Sequence, residues 1–128
     1  MINFLEKNRI ISITFLILIA IEIFFFSSLS GPPGAKFPII SIAYHFIIFF
    51  LFTFFLLASI KGKEKLKLRY LIIAIIISIL YAFSDEFHQS FISGRNAGIK
   101  DILTDSAGIF SSILIYTYIK KSSDKNSS

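Results

Sequence analysis

The sequence predicts an all-α integral membrane protein, a bundle of four transmembrane helices. Of the 128 residues, 55% are hydrophobic and 16 are phenylalanine, and the mean hydropathy is +0.76. A soluble domain of this length would need a more charged surface. The apolar residues fall into four unbroken runs rather than alternating patterns, and four strands cannot close a barrel, so helices are favoured over strands.

The four runs have the length of membrane-spanning helices once their flanks are included. A hydrocarbon core about 30 Å thick takes about 20 helical residues. The second run reaches this length alone, and the other three reach it with flanking residues. The runs cover residues 10–26, 39–60, 70–83 and 102–119.

Short polar segments connect and flank the runs. Residues 31–34 (Gly-Pro-Pro-Gly) predict a loop outside the membrane, because proline cannot continue a helix and glycine admits positive φ. Residues 61–69 predict a hairpin loop on the inner side. Residues 1–9 are expected as a cytoplasmic N-terminal segment and residues 120–128 as a disordered cytoplasmic tail, which is serine-rich from Ser122 onward.

The distribution of lysine and arginine predicts the orientation in the membrane. If the N-terminus is cytoplasmic, ten of the thirteen basic residues lie in segments on the inner side. Both termini of a multi-pass protein of the cell membrane are therefore predicted to be cytoplasmic. The net charge of +5 is explained by anionic lipid headgroups at that side, so no nucleic-acid partner is expected.

The N-terminus also has features of a secretory signal. Lys7 and Arg9 precede an apolar run that ends in small residues at 28–31. The run is longer than a usual signal and contains Glu22, which favours a retained first helix. The absence of cysteine excludes disulfides and thiolate chemistry.

A polar cluster stands out against this apolar background. It joins four carboxylates to a histidine, a glutamine and an arginine at the edges of the third and fourth runs. Such groups are costly beside a lipid-spanning segment, so the default interpretation is a functional site with paired partners. Its members are Asp85, Glu86, His88, Gln89, Arg95, Asp101 and Asp105.

Depth and helical spacing predict how the cluster is arranged. Glu22 and His45 each lie about six residues, or about 9 Å, below the outer helix ends, so they are expected to meet. Asp85, His88 and Gln89 stand at i, i+3 and i+4 and should share one face. The stripe Asp101, Asp105 and Gly108 should form the facing acidic surface, where the glycine lets another helix approach closely.

Two residues of the cluster have alternative interpretations. Arg95 is available for a bidentate contact with a carboxylate or a phosphate, or it simply neutralises Asp101 or Asp85. His88 is a metal ligand or proton carrier, or it is an ordinary structural partner of a carboxylate.

The segment from Ser84 to Arg95, followed by Asp101, Asp105 and Gly108, resembles the VanZ-like family of small membrane proteins. The family signature is Asp-Glu-x-x-Gln, a Gly-Arg pair, and then two polar residues before a glycine on the next helix. The resemblance extends to residues 26–28 and to His45-Phe46, so it implies one membrane domain over residues 10–119.

The sequence departs from the family pattern at two positions. Ile42 stands where members often carry a lysine, three residues before His45, so a cation near the acidic cluster is missing or replaced by Lys36. Glu22 is unusual in a first helix that is typically apolar. Both departures suggest a rewired charge balance in which Glu22 and His45 substitute for the lysine contact.

The resemblance leaves three hypotheses open, because the family is named for low-level teicoplanin resistance by a mechanism not established as an enzyme reaction. The first is a protein that binds an anionic or acylated envelope molecule at the outer leaflet and lowers sensitivity to such lipoglycopeptides. The second is a membrane-embedded hydrolase or transferase acting on a lipid headgroup, and the third is a structural or assembly protein. Expected partners are membrane lipids and a lipid-linked or lipoglycopeptide ligand, and the oligomeric state is open.

Each hypothesis assigns roles to particular residues. The binding residues are Arg95, Gln89 and His45. Paired carboxylates can divide acid and base roles or hold Mg²⁺ or Mn²⁺, so a divalent cation is the candidate cofactor. The catalytic candidates are Asp85, Glu86, His88, Asp101 and Asp105, the metal candidates are Asp85, Glu86, Asp101 and Asp105, and the structural polar partners are Glu22, Ser27, Ser28, Gly94 and Gly108.

Overall fold

The computed structural model describes residues 1–30, 38–95 and 98–125, which form helices and no strand. Four of the helices are long and apolar enough to cross a membrane, which confirms the predicted fold class. A short N-terminal helix precedes them. The helices are α1 (Ile2–Lys7), α2 (Arg9–Ser27), α3 (Pro38–Lys61), α4 (Leu68–Gln89) and α5 (Ile99–Lys125).

The helices extend beyond the apolar runs at their polar ends. α4 continues past Phe83 through Gln89, and the Ser90 N–H still donates to the Glu86 carbonyl at 3.0 Å. Gly94 then turns the chain with a φ of 79°, in the left-handed region that glycine adopts without strain. α5 continues through Lys125, so residues 122–125, expected in a disordered tail, are helical, and residues 126–128 lie outside the described part. The predicted loop at residues 31–34 also lies outside the described part of the chain.

The central helix of the bundle is α3, which packs against α1, α2, α4 and α5. Phe49, Leu57 and Ala58 of α3 are fully buried. α3 and α5 approach each other closely at Gly108, where an added Cβ atom would collide with the carbonyl oxygen of Phe46 and lie 3.1 Å from the Phe50 nitrogen. The small residue therefore sets the separation of these two helices.

The surface and interior of the bundle have the polarity expected in lipid. Large apolar side chains such as Phe25, Leu80 and Leu114 are exposed on the outside. Inside, Thr53 donates a hydrogen bond to Ser78 at 2.9 Å, and both side chains are fully buried. Exposed apolar and internally paired polar side chains suit a hydrocarbon environment.

One end of the bundle is tied together by a buried ion cluster. Glu6 of α1 accepts from Lys61 at 2.8 Å and from Lys120 at 3.0 Å, and Tyr116 donates to it at 2.7 Å. Glu6 and Lys61 are only 4% and 3% exposed. The segment expected only as a cytoplasmic N-terminus therefore packs against α3 and α5.

At the same end, the loop between α3 and α4 is closed by exposed contacts. Glu64 accepts from Tyr70, from Arg69 at 3.0 Å and from Lys67 at 3.3 Å. The hydrogen bond from Tyr70 and the one from Lys67 hold the pKa of Glu64 below its ordinary value. The opposite end gathers the C-termini of α2 and α4 with the N-termini of α3 and α5, and it contains the polar cluster.

Candidate functional site

Three helices bring together a histidine and two carboxylates in the interior of the polar end. His45 comes from the first half of α3, Glu86 from the last turn of α4, and Asp105 from the second turn of α5. His45 Nδ1 lies 2.9 Å from Asp105 Oδ1, and one ligand atom of each residue lies within 4.8 Å of the others. All three are buried, with Asp105 fully so. These residues are called the histidine–carboxylate site below.

The two carboxylates of this site are only half satisfied. Glu86 Oε2 accepts the Gly98 N–H at 2.9 Å, which orients the carboxylate toward the start of α5. Glu86 Oε1 and Asp105 Oδ2 are buried and have no hydrogen-bond partner among the described residues. Unpaired buried acceptors cost about 1–3 kcal/mol each, and more if charged, so these two oxygens are candidates for contact with a bound species.

Asp85 faces a different direction from its neighbour Glu86. Successive helical residues are about 100° apart, so adjacent carboxylates on α4 cannot share a face. Gln89 Nε2 donates to Asp85 Oδ2 at 2.8 Å, and both side chains are buried. They line an internal cavity of about 20 Å³, together with Ser27, Tyr44, His45 and Arg95. A cavity of this size accommodates about one water molecule.

His88 does not join Asp85 and Gln89 on the predicted shared face. Its ring stacks on Phe24 of α2 with centroids 4.9 Å apart, and its Nε2 lies 3.0 Å from Ser28 Oγ. The prediction failed for His88 because its position on α4 points toward α2 rather than toward the cavity. The contact joins the ends of α2 and α4.

Arg95 binds backbone carbonyls rather than the carboxylates that the sequence suggested. Its Nε donates to the Leu29 carbonyl at 3.1 Å, and its Nη2 donates to the Phe26 carbonyl. These carbonyls belong to the end of α2, where the helix dipole favours a cation. The predicted neutralisation of Asp85 or Asp101 is therefore not the arrangement of the described residues.

Glu22 and His45 do not make the predicted contact, because His45 pairs with Asp105 of α5. Glu22 is exposed on α2 and lines an open groove of about 570 Å³ between α2 and α3. Most of the groove surface is contributed by apolar atoms, and Arg95 is one of the residues that line it. Its lining is Glu22, Phe26, Ile40, Ser41, Tyr44, His45 and Arg95.

Asp101 lies in the first turn of α5 and is half-buried. It interacts electrostatically with His45, Glu86 and Asp105 without a hydrogen bond to any of them in the described structure. Asp101 therefore adds a further acidic side chain to this end of the bundle, beside Asp85, Glu86 and Asp105. An acidic residue in the first turn also suits the positive end of the helix dipole.

Two features were missed by reasoning from the sequence. Tyr44 has a buried hydroxyl without a partner among the described residues and lines both the cavity and the groove. His45 is a further candidate metal ligand, beside Glu86 and Asp105. The metal ligands predicted from the sequence were carboxylates alone. Depth counting contained a signal for His45, since it placed this residue about 9 Å below the outer helix ends, and Asp105 lies at a similar level in the second turn of α5.

Comparison with known proteins gives one match. Searches of curated proteins and of solved structures found none. A family model described as VanZ/LLP1 matches residues 13–120, which include all four long helices except their outermost turns and every residue of the histidine–carboxylate site. The chain therefore belongs to the VanZ-like family and is a multi-pass membrane protein.

Proposed function

We propose that this protein binds an amphiphilic envelope molecule, one with an acyl chain and an anionic group, and thereby lowers sensitivity to teicoplanin-type lipoglycopeptides. The observation that carries the proposal is the groove between α2 and α3. Four of its residues also line the polar cavity, so an apolar surface adjoins a polar recess. They are Phe26, Tyr44, His45 and Arg95.

The apolar part of the groove suits a chain of methylene groups. Phe26 and Ile40 are exposed in the bundle, at 43% and 65% of their full accessibility. The groove volume of about 570 Å³ falls within the roughly 300–1,000 Å³ of known small-molecule sites. An acyl chain lying there would replace bilayer lipid at no hydrophobic cost, so the polar contacts have to supply the selectivity.

Arg95 suits the anionic group. A guanidinium has five N–H donors, and the two carbonyl contacts at the end of α2 use only part of them. The remaining donors can bind a carboxylate or a phosphate, and the carbonyl contacts hold the side chain in place.

Tyr44 and Ser27 add neutral donors beside it. Each has a buried hydroxyl with no partner among the described residues, and both line the cavity. Hydroxyls in such a position are available to a headgroup oxygen, and leaving them unpaired costs stability. The cavity thus offers a charged donor and two neutral ones.

The proposed location is the outer leaflet. The loop with Lys61, Lys63, Lys65 and Lys67 lies at the end opposite the polar cluster, and basic loops are retained on the cytoplasmic side. Under this rule the groove and cavity face the outer leaflet, where an acylated glycopeptide inserts.

Replacing Arg95 with glutamine tests the proposal. We expect Arg95→Gln to abolish protection against teicoplanin in cells that depend on this protein, because glutamine keeps hydrogen-bonding capacity but loses the charge. The measurement is the minimal inhibitory concentration, at membrane protein levels matched by immunoblot. Lys100→Gln is the control, since Lys100 is an exposed cation at the same end and is not among the residues that line the groove. Protection by Arg95→Gln equal to that of the wild type would remove the proposal.

A further inference from the structure

We propose that His45, Glu86 and Asp105 bind a divalent transition-metal ion. Glu86 and Asp105 do not line the groove between α2 and α3, so this inference goes beyond the proposed amphiphile binding and does not depend on it. The site has three independent features that favour a cation: the spacing of its ligand atoms, its unpartnered oxygens and its charge.

The spacing suits a single ion. One ligand atom from each residue lies within 4.8 Å of those from the other two. Metal bonds to imidazole nitrogen and carboxylate oxygen are about 2.0–2.2 Å long, so two ligands of one tetrahedral ion lie about 3.3–3.6 Å apart. The side chains would need to close by up to about 1.5 Å, which rotations about the terminal bonds of the carboxylates can supply.

The unpartnered oxygens belong to the two buried carboxylates of the site. Asp105 is 0% exposed and Glu86 is 6% exposed, and Asp105 Oδ2 and Glu86 Oε1 have no hydrogen-bond partner among the described residues. The other oxygen of each carboxylate is held, by His45 and by the Gly98 N–H respectively. The contact from the Gly98 N–H is of the kind that orients ligating carboxylates in known metal sites.

The charge of the site matches a dication. In the protonation state that binds a metal, two carboxylates and a neutral imidazole sum to −2. No lysine or arginine within residues 1–30, 38–95 and 98–125 forms an ion pair with Glu86 or Asp105. A bound dication would bring this sum to zero in a low-dielectric interior, where net charge is costly. Asp85 and Asp101 interact electrostatically with Asp105 and would add further attraction for a cation.

The ligand types select the class of metal. Imidazole favours Zn²⁺, Cu²⁺, Fe²⁺ or Ni²⁺ over Mg²⁺ and Ca²⁺, which prefer all-oxygen shells of six or more ligands. Three protein ligands also leave a coordination position open, as in zinc sites that bind a water or a ligand oxygen. Access is provided by an open groove of about 310 Å³ between α4 and α5, which Glu86 lines together with Gly98 and Ile102.

The experiment measures metal bound to purified protein in lipid nanodiscs. The protein is stripped with a chelator, titrated calorimetrically with Zn²⁺, Mn²⁺ or Mg²⁺, and analysed by mass spectrometry for metal per chain after desalting. We expect one Zn²⁺ per chain, with Mg²⁺ binding much more weakly. Glu86→Gln and Asp105→Asn should each weaken Zn²⁺ binding by at least about tenfold, the loss typical of disturbing a metal site.

Two controls separate metal binding from folding. Glu64→Gln removes an exposed carboxylate at the other end of the bundle and should leave Zn²⁺ binding unchanged. Co²⁺ loaded into the wild type should give visible ligand-field bands that shift in His45→Gln, a change that only a direct ligand produces. If protons alone neutralise the site, the wild-type protein will not bind one metal ion per chain. That result would overturn the inference, and so would an unchanged Zn²⁺ affinity in both Glu86→Gln and Asp105→Asn.

Discussion

At the scale of the residue, neighbouring side chains of the polar cluster have separate roles because the helix rotates them apart. Asp85 pairs with Gln89 at the cavity, whereas Glu86 faces Asp105 and His45. His88, two positions further, contacts Ser28 of α2. Residues that form one continuous motif in the sequence therefore contact three different parts of the bundle.

Gly108 allows the sharpest test of packing at this scale. Alanine in place of an unconstrained helical glycine stabilises by about 1 kcal/mol through helix propensity. Here we expect Gly108→Ala to destabilise the bundle by about 1–3 kcal/mol, because the added carbon collides with the backbone of α3 at Phe46. The measurement is unfolding in mixed detergent micelles.

Ala107→Val is the matched control for this prediction. Ala107 is exposed and lines the surface between α3 and α5, so the added carbons meet little resistance there. A stabilised Gly108→Ala variant would show that the close helix approach at Phe46 is not a constraint.

The types of residue in the site could be predicted from the sequence, but most of the pairings could not. Costly ionisable groups beside apolar runs pointed to Glu86, Asp105 and His45. Counting residues from a helix end gives the depth of a side chain but not the direction that it faces around the helix axis. The depth of His45 therefore matched Glu22 although its partner is Asp105. Arg95 was assigned to a carboxylate because charge pairing ignores the carbonyls at a helix end.

At the scale of the element, the long helices were predictable and the short one was not. Unbroken apolar runs identify α2 to α5, although their polar ends, such as Asp85–Gln89, extend beyond the runs because helical backbone bonds continue there. α1 has six residues, too few for a stable isolated helix. It depends on contacts with α3 and α5 that no local pattern reveals.

The dependence of α1 on Glu6 leads to a prediction. Glu6→Gln leaves Lys61 and Lys120 facing each other without the carboxylate that bridges them. Breaking a buried ion pair by removing one partner costs about 3–5 kcal/mol, so we expect a marked loss of thermal stability. The measurement is the midpoint of thermal unfolding.

Two further variants make this prediction specific. Glu64→Gln removes an exposed partner of Arg69 and Lys67, and exposed pairs contribute about 0–1 kcal/mol. Lys61→Met combined with Glu6→Gln should recover part of the loss by removing the unpaired buried cation. Equal stability of Glu6→Gln and Glu64→Gln would show that the cluster does not hold α1 in place.

At the scale of the whole molecule, the bundle separates its two ends by chemistry. One end has a buried ion cluster around Glu6 and a basic loop, and the other has acidic groups, a cavity and a groove. Composition and the four apolar runs predicted a four-helix membrane protein. It could not predict that α3 is central or that α2 and α3 leave a groove, because both depend on how the helices rotate and cross.

The groove gives the most direct measurement of the proposed binding. Ser41 and Ala43 are both exposed on α3, but Ser41 lines the groove beside Arg95 and Ala43 lines the opposite surface toward α5. Purified wild type, Ser41→Trp and Ala43→Trp in nanodiscs are titrated with fluorescent teicoplanin, and the dissociation constants are compared. We predict that Ala43→Trp binds as the wild type does and that Ser41→Trp loses binding at least about tenfold, a free-energy change of about 1.4 kcal/mol. Equal binding by all three proteins would contradict the proposal that this groove holds the ligand.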